Sequence, residues 1–299
     1  MKKTMPARYQ LLLMVMPFII FIFLFSYVPL IGWIYAFFDY LPGVPLFKCD
    51  FVGLEYFKLI FRDKINMLRV MKNTMIFAGI GLLTMPLPMI FAICLNEIRQ
   101  VRLKKVIQTF TTLPNFISAI IVYSLVFTFL SRDGVINTVL MNLGILSEPT
   151  NVLANGDAVY WFQTVLGQWK GLGWSAIIYI AAISGVDQEL YDAADVDGAG
   201  HLGKALHVTI PALMPTFIVL LILGVGNILN TGYETYYLYK NPMTSANIEV
   251  LDLYVYRVGL GTNDYSYGIA ISIMKTFVSV ILISIANIFS KKIRGSTIF

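Results

Sequence analysis

The chain has 299 residues, of which 58% are hydrophobic and 13% are charged, and its mean hydropathy is +0.74. Soluble domains average roughly half apolar and about a quarter charged residues, so this composition excludes an ordinary soluble fold and indicates an integral membrane protein. The net charge is +5, but the basic residues cluster at the ends of apolar segments, which is typical of topology signals and not of a nucleic-acid-binding surface. The two cysteines and two histidines form no cluster with metal-ligand spacing, and we expect no cofactor.

Six apolar segments are long enough to cross a bilayer, which takes about 20 mostly apolar residues. They cover roughly residues 11–38, 74–95, 106–130, 159–186, 213–238 and 268–290, and are numbered one to six below. Span one is too long for a signal peptide and no small-residue cleavage site follows it, so we expect a retained helix bent by Pro17 and Pro29. The pattern predicts an all-α integral membrane fold with six transmembrane helices in a single domain, 1–299.

Lysine and arginine residues near the span ends predict the orientation. With a cytoplasmic N-terminus, eleven of them lie on the cytoplasmic side and eight on the outer side, where most of the contrary charge belongs to residues 40–69. We therefore expect both termini and the polar segment 187–212 in the cytoplasm. Residues 131–158 include apolar residues at helical spacing, which predicts a short amphipathic helix along the outer surface.

The segment 187–211 is polar although it lies between two spans. Good helix formers fill residues 188–196, where Ala193 and Ala194 leave room for another surface to approach closely, and Gly198 permits a sharp turn. Five acidic residues between positions 187 and 197 would pair with a basic groove. We interpret this segment as a docking element at the membrane face. The alternative is a solvated connecting loop, which predicts no particular spacing of small residues.

The same segment approaches the G-x-x-x-x-G-K-[ST] phosphate-binding loop at residues 198–205. The chemistry does not fit, because Ala205 stands where a hydroxyl group would hold magnesium. The preceding segment is also a membrane span and not the buried strand of a soluble α/β domain. We therefore expect no nucleotide binding at this segment.

A longer pattern covers this segment. Asp192-Ala193-Ala194 is followed after three residues by Gly198 and after nine more by Val208-Thr209-Ile210-Pro211. This spacing resembles the E-A-A-x3-G-x9-I-x-L-P motif of the membrane subunits of binding-protein-dependent ABC importers, with Asp for Glu, Val for Ile and Ile for Leu. Residues 27–39, 51–57, 73–74 and 113–114 also look like those of carbohydrate-uptake permeases of the maltose and complex-polysaccharide types.

The resemblance implies a type I importer permease fold with a cytoplasmic coupling helix and no catalytic site of its own. It implies a bacterial cytoplasmic membrane location and four kinds of partner: a second related permease in a heterodimer, two ATP-binding cassette subunits, an extracytoplasmic solute-binding protein and the lipid bilayer. No nucleic acid partner is expected. The residues implied to couple to the ATPase are Glu189, Tyr191, Asp192, Ala193, Ala194, Asp197, Gly198, Ala199 and Pro211.

Polar residues inside spans are costly, so those of spans three to six are candidates for a solute path. They are Tyr123, Gln163, Lys170, Trp174, Asn227, Asn230, Glu234 and Lys275. The spacing of the span-five residues predicts that they share one helix face, as does the spacing of the three span-four residues. Amide and aromatic groups suit a sugar, and the two lysines favour an acidic one such as a uronate oligosaccharide. The alternative is hydrogen bonding between helices, with a Glu234–Lys275 pair.

Other functions remain open at this point. An ion-gradient-driven carrier often has inverted repeats and broken helices, which the sequence does not display, and it would leave the docking segment unexplained. An ABC importer for another polar solute, such as glycerol phosphate, would share every feature except the sugar. A membrane enzyme would need clustered catalytic groups, and His201 and His207, although close to acidic residues, fit the coupling segment better.

Overall fold

The computed structural model describes residues 7–294, with side chains for residues 8–288. Within this range the chain forms helices and loops, with one isolated β-bridge between Phe38 and Phe51, which agrees with the predicted all-α fold. The described chain divides into two compact units, one made of residues 7–64 and 255–276 and the other of residues 65–254 and 277–294. The predicted cytoplasmic termini, at residues 1–6 and 295–299, lie outside the described residues.

The first unit begins with the helix of span one. Helix α1 (Ala7–Ile22) continues through a π-helical turn (Phe23–Tyr27) into a 3-10 helix (Val28–Phe37). All side chains of residues 8–31 are exposed, although most are apolar, so this helix requires hydrocarbon around it. A 3-10 turn (Leu46–Lys48) and helix α2 (Glu55–Arg62) follow.

The second unit contains most of the remaining helices. They are α3 (Lys64–Thr84), α4 (Pro86–Asn96), α5 (Val101–Thr112), α6 (Ala119–Leu130), α7 (Val135–Asn142), α8 (Val159–Ser184), α9 (Gln188–Val196), α10 (His201–Lys204), α11 (Ile210–Gly226), α12 (Glu234–Tyr239) and α13 (Ser245–Ile248). Shorter 3-10 turns occupy Leu113–Phe116 and Val152–Ala154, and a π-helical turn occupies Ala205–Thr209, while a second π-helical turn, Arg257–Gly261, belongs to the first unit. Helices α14 (Leu251–Tyr256) and α15 (Tyr265–Arg294) each have residues in both units.

The apolar helices agree in number with the six predicted spans. Five are long and apolar enough to cross a bilayer, namely Arg8–Phe37, Lys64–Asn96, Ala119–Asn142, His201–Gly226 and Tyr265–Ile288. A sixth results when α8 and α9 are counted together, although α9 is bent away from α8 by 74°. Because α8 alone has 26 residues, it is long enough to cross, and the bend directs α9 away from the crossing direction.

Span three is not the single helix predicted over residues 106–130. Helix α5 ends at Thr112, and the spanning segment begins at Ala119. Pro114 has no N–H group and disfavours a helical conformation in the residue before it, so the hydrogen-bond ladder stops there. Ser118 then starts α6 afresh, since its side chain accepts a hydrogen bond from the N–H of Ile121 (3.4 Å).

Span five also differs from the prediction, because its helix runs from His201 to Gly226 and not over residues 213–238. Helix formation resumes directly after the glycine turn of the polar segment. The π-helical turn at Ala205–Thr209 interrupts the regular hydrogen-bond ladder just before Pro211, which therefore causes no further break. The segment predicted as a coupling loop is thus largely helical, and the residues after Gly226 form turns.

Helices α4, α8 and α11 enclose the main core of the second unit, around Met89, Ala92, Tyr179 and Leu213. Helix α5 packs against α8 with almost no side chain between them. A Cβ atom added to Gly173 would lie only 2.3 Å from the carbonyl oxygen of Thr111, so the two backbones are in direct contact. Small residues at such contacts are typical of helix packing in membranes.

Candidate functional site

Helix α9 has a sharply defined end. Gly198 has a φ of +74°, in the left-handed region that favours glycine. The N–H of Ala199 donates to the carbonyl of Ala194 (2.9 Å), and the N–H of Gly198 donates to that of Asp195 (3.0 Å). This pair of bonds is the Schellman ending, which satisfies carbonyl groups that the helix leaves open and reverses the chain. The turn predicted from Gly198 is therefore present, and it sets the position of everything after α9.

The start of α9 is capped as well. The Asp187 side chain accepts a hydrogen bond from the N–H of Glu189 (3.0 Å). A carboxylate at this position both satisfies an open N–H group and interacts favourably with the positive end of the helix dipole. Helix α9 is therefore delimited at both ends by its own residues.

Two side-chain contacts attach α9 to the base of span five. The hydroxyl groups of Tyr191 and Thr209 lie 3.0 Å apart and share a hydrogen bond. The ammonium group of Lys204 pairs with the carboxylate of Asp195 at 2.5 Å. Because Thr209 and Lys204 belong to the helical segment that continues into α11, these contacts join α9 to the base of span five.

A third contact ties this segment to span two. The imidazole of His201 contacts the carboxylate of Glu97, which directly follows α4. His201 is the first residue of α10, so the contact joins the base of span five to the end of span two. The ends of spans two, four and five are thereby connected through the polar segment.

The remaining surface of α9 is open. Glu189, Asp192 and Ala193 are exposed, Val196 is 87% exposed, and Leu202 on α10 is 74% exposed. No described residue covers these acidic groups or the apolar side chains beside them. Such a combination is suited to docking onto another protein. Among the remaining predicted coupling residues, Asp197, Gly198 and Pro211 are exposed and Tyr191, Ala194 and Ala199 are half-buried. Their coupling role stays a prediction.

The predicted path residues of α6 and α8 lie around two cavities in the second unit. Tyr123 lines a cavity of about 750 Å³ close to the start of α8, and Trp174 lines another of about 390 Å³ together with Thr84 and Gln168. Trp174 also meets the ring of Phe116 edge to face, with centroids 5.6 Å apart. The structure therefore does not collect these residues into one pocket.

Gln163 and Lys170 line neither cavity, but both carry unsatisfied polar groups. Gln163 is buried, and its Nε2 atom has no hydrogen-bond partner among the described residues. Lys170 is half-buried and forms no ion pair with any described residue. Unpaired polar groups in a membrane span are expected to meet water, a partner or a solute.

The predicted shared helix face of Asn227, Asn230 and Glu234 is wrong, because α11 ends at Gly226. Asn227 donates to the carbonyl of Leu223 (3.0 Å), and Asn230 donates to the side chain of Asn227 (3.3 Å), within the turn that follows the helix. All three residues are exposed, and Glu234 begins the separate helix α12. Lys275 is half-buried on α15, within the first unit.

A buried charge cluster stands at the end of the second unit far from α9, and no sequence pattern indicated it. Glu249 is only 3% exposed, and its carboxylate pairs with Lys240 at 2.9 Å and with Arg69 at 3.1 Å. Arg69 precedes Glu249 by 180 positions, so no local pattern could reveal the pair. The cluster joins the start of span two to the segment between spans five and six.

Asn73 reinforces this junction. Its amide nitrogen donates to the carbonyls of Ala246 (2.9 Å) and Glu249 (3.1 Å), and its amide oxygen accepts a hydrogen bond from the hydroxyl of Tyr160 (2.7 Å). Thr74 accepts a hydrogen bond from the N–H of Leu251 (2.9 Å). The Asn-Thr pair, noticed in the sequence only through a resemblance, therefore anchors residues 246–251 to span two.

The first unit has its own polar network, in which the hydroxyl of Tyr56 donates to Asp39 (2.7 Å). Burial, followed by the bond and the charge of Asp39, raises the pKa of Tyr56 well above its ordinary value. Ser266 donates to the carbonyl of Phe38 (2.7 Å). These bonds fix the loop that follows span one.

Residues 84–295 match the family described as binding-protein-dependent transport system inner membrane component. The chain belongs to this family. The match includes α8, the docking segment and α11, so the resemblance read from the spacing around Gly198 is confirmed, and with it the type I ABC importer permease fold. The chain is a membrane-spanning permease component and not an ion-gradient carrier.

Similar proteins cover nearly the whole chain. Protein LplB of Bacillus subtilis is 39% identical over 97% of this chain and 91% of its own length. The polygalacturonan/rhamnogalacturonan transport system permease protein YteP of the same organism is 39% identical over 97% of this chain and 90% of its own length. A solved bacterial alginate ABC transporter, in complex with an alginate pentasaccharide-bound periplasmic protein, contains a chain that is 32% identical, with a TM-score of 0.86 over 97% of this chain and 96% of that one.

Proposed function

We propose that this chain is one of two related permease subunits in an ATP-driven importer of acidic, uronate-containing oligosaccharides. The observation that carries the proposal is its similarity, over 97% of its length, both to a polygalacturonan/rhamnogalacturonan permease and to a chain of an alginate transporter. The polymers in both names are rich in uronate sugars, which carry a carboxylate on the ring. The carboxylate chemistry shared by these two systems is what favours an acidic oligosaccharide over a neutral one.

The assembly proposed around the chain contains a second permease, two ATPase subunits and an extracytoplasmic solute-binding protein. The periplasmic protein in the alginate transporter structure supports the last of these. The open, acidic face of α9 supports docking onto an ATPase. We therefore place the α9 end and both termini in the cytoplasm, and residues 131–158 and 240–249 outside. The membrane is the cytoplasmic membrane of a bacterium.

The contacts of α9 suggest how ATP hydrolysis reaches the solute path. Motion of the ATPase would displace α9, and the Tyr191–Thr209 and Asp195–Lys204 contacts would pass that displacement to span five. The contact of His201 with Glu97 would pass it on to span two. Because α9 is stiffened at both ends, it would move as a body.

Of the predicted solute-path residues, we keep those on α8, which are Gln163, Lys170 and Trp174, in the proposal. Lys170 precedes Trp174 by one helical turn, and Trp174 lines the 390 Å³ cavity. An unpaired ammonium group in a low-dielectric span attracts a carboxylate more strongly than it would in water. A neutral sugar would leave that charge unpaired. Lys170 therefore favours an acidic solute over a neutral one of the same size.

The test is to reconstitute the chain with its partner subunits and solute-binding protein in liposomes and to measure ATP hydrolysis and uptake. Trigalacturonate should stimulate both, and maltotriose should not. Lys170→Gln should reduce uptake of trigalacturonate by about tenfold, as expected for loss of a charge-assisted contact. Equal stimulation by maltotriose would contradict the acidic assignment, and uptake that follows an ion gradient without ATP would contradict the ATP-driven one.

A further inference from the structure

The 750 Å³ cavity lies near the start of α8, at the end of the second unit far from α9. Its wall combines the end of α6, the loop that follows, the 3-10 turn at Val152–Ala154 and the segment after α12. Its volume falls within the range of about 300–1,000 Å³ that is usual for small-molecule sites. It is distinct from the smaller cavity beside Trp174.

Two amide side chains hold the cavity wall in place. Asn137 is 4% exposed, donates to the carbonyls of Ser131 (2.9 Å) and Thr150 (2.6 Å), and accepts a hydrogen bond from the N–H of Thr150 (3.1 Å). Asn241 donates to the carbonyl of Leu153 (2.8 Å). These bonds fix the loops that form the wall, so the cavity is preformed.

The cavity wall carries positive charge. Lys240 pairs with buried Glu249, but Arg69 pairs with the same carboxylate, so this cluster keeps a net charge of about +1 at neutral pH. Arg132 also lines the cavity and forms no ion pair with any described residue, and neighbouring Asp133 is the acidic residue in the lining. Of the three charged side chains that line the cavity itself, two are basic and one is acidic, which favours an anion.

One buried hydroxyl group in the wall has no partner. Tyr239 lines the cavity and is 5% exposed, and its hydroxyl forms no hydrogen bond with any described residue. Burial, with a smaller effect of nearby Tyr123, raises the pKa of Tyr239 to about 12, so the hydroxyl stays protonated and able to donate. Buried hydroxyls are nearly always paired, so an orphan hydroxyl on a residue of the cavity wall indicates an absent partner.

We propose that this cavity is an entry site that holds one uronate unit of the acidic oligosaccharide. Arg132 and Lys240 bind its carboxylate, the hydroxyl of Tyr239 donates to a sugar oxygen, and the ring of Tyr123 packs against the apolar face of the sugar. The inference rests on the proposed function, from which it takes the chemistry of the solute. The site receives solute before it reaches the α8 residues.

The site can be probed by protection of an introduced thiol in the assembled permease complex, in nanodiscs and without the solute-binding protein. Ala154→Cys places the thiol in the cavity wall, with Cys49 and Cys94 changed to serine. Trigalacturonate should slow labelling at position 154, and maltotriose should not. Lys58→Cys on α2, outside this cavity, should label at the same rate with either sugar.

Two variants then assign the roles. Tyr239→Phe removes only the orphan hydroxyl, and should raise the trigalacturonate concentration for half-protection by about fivefold, as for one net hydrogen bond. Arg132→Gln should raise it by about tenfold, as for one hydrogen bond to a charged group. Arg62→Gln, at an exposed arginine outside the cavity, should change nothing. Unchanged half-protection in both cavity variants would overturn the proposal.

Parallel uptake measurements separate this site from the proposed function. Protection by trigalacturonate without its transport would leave the entry site standing and overturn the acidic-importer function. Transport of trigalacturonate without protection would overturn the entry site and leave the function standing. If neither occurs, both fail.

Discussion

The two ends of the second unit are held together in opposite ways. At the α9 end, two members of the ion pairs are accessible, since Asp195 is 58% exposed and His201 is 65% exposed, although Thr209 is buried. At the other end, Glu249 is 3% exposed and Asn137 is 4% exposed, and both make several bonds. Exposed ion pairs contribute little stability, whereas buried networks are costly to break.

This difference matches two mechanical tasks. Exposed ion pairs at α9 can rearrange at little cost, while the Tyr191–Thr209 hydrogen bond keeps the helix joined to span five. Buried links around the 750 Å³ cavity keep its wall fixed. The chain therefore joins an adjustable end to a rigid end through α8 and α11, and the predictions below test each end.

The largest effect is expected at the rigid end. Glu249→Ala removes two charge-assisted hydrogen bonds, from Arg69 and Lys240, which should lower the free energy of unfolding by about 3 kcal/mol. Thermal unfolding of the purified chain in detergent measures the loss. Glu55→Ala, which removes an exposed pair with Lys58, is the matched control and should cost less than about 1 kcal/mol. Equal losses of unfolding free energy in the two variants would mean that the burial of Glu249 adds nothing to its contribution to stability.

The second effect concerns the connection between the two ends. Gly173→Ala forces a Cβ atom to within 2.3 Å of the Thr111 carbonyl oxygen, so α5 and α8 must separate, at a cost of about 1–3 kcal/mol. The same unfolding assay applies. Gly171→Ala, two residues earlier where no atom lies within 4 Å, should be neutral or stabilising. A stable Gly173→Ala variant would contradict the direct backbone contact.

The third effect is expected at the adjustable end. Gly198→Ala places a side chain at a φ of +74°, which costs about 1–2 kcal/mol and should weaken binding of the ATPase subunit about tenfold. No atom lies within 4 Å of the added Cβ, so the effect is one of backbone conformation alone. Gly200→Ala, at a φ of −71°, is the control. Binding is measured by titrating the ATPase subunit onto the permease, and normal affinity of Gly198→Ala would remove the turn from the coupling role.

The smallest effect concerns the link between α9 and span five. Tyr191→Phe removes the hydrogen bond to Thr209, worth about 1 kcal/mol. We expect normal assembly but fewer solute molecules imported per ATP hydrolysed. Tyr9→Phe, at an exposed position of span one, should leave this ratio unchanged. An unaltered ratio in Tyr191→Phe would show that the hydrogen bond transmits no motion.

Local sequence signals were sufficient for the number of apolar spans and for the end of α9. The break in span three also has a local sequence signal, in Pro114 and the capping Ser118. The apolar run continues across both residues, which makes this signal hard to recognise. The end of span five is harder, because Ile228 and Leu229 continue the apolar pattern past Gly226. Hydropathy responds to side chains and not to the backbone turn that begins at Asn227.

The parts that could not be predicted depend on contacts between distant segments. Glu249 is a single acidic residue in a loop, and its partner Arg69 belongs to another helix 180 positions away. The cavity wall likewise combines residues from three loops, so its orphan hydroxyl at Tyr239 is visible only in three dimensions. Spacing rules describe residues within one helix, whereas these two sites are formed by residues from different segments.

The attachment of α9 to the base of span five also bears on how such permeases diverge. Asp195 and Tyr191 contact Lys204 and Thr209, so we expect the helix and the surface that it contacts to be exchangeable only together. A chimera that exchanges only residues 188–196 between two permeases would mismatch both contacts. An exchange of residues 187–209 would carry the matching halves together, and this longer segment is the natural unit for transplanting the ATPase preference of one importer into another.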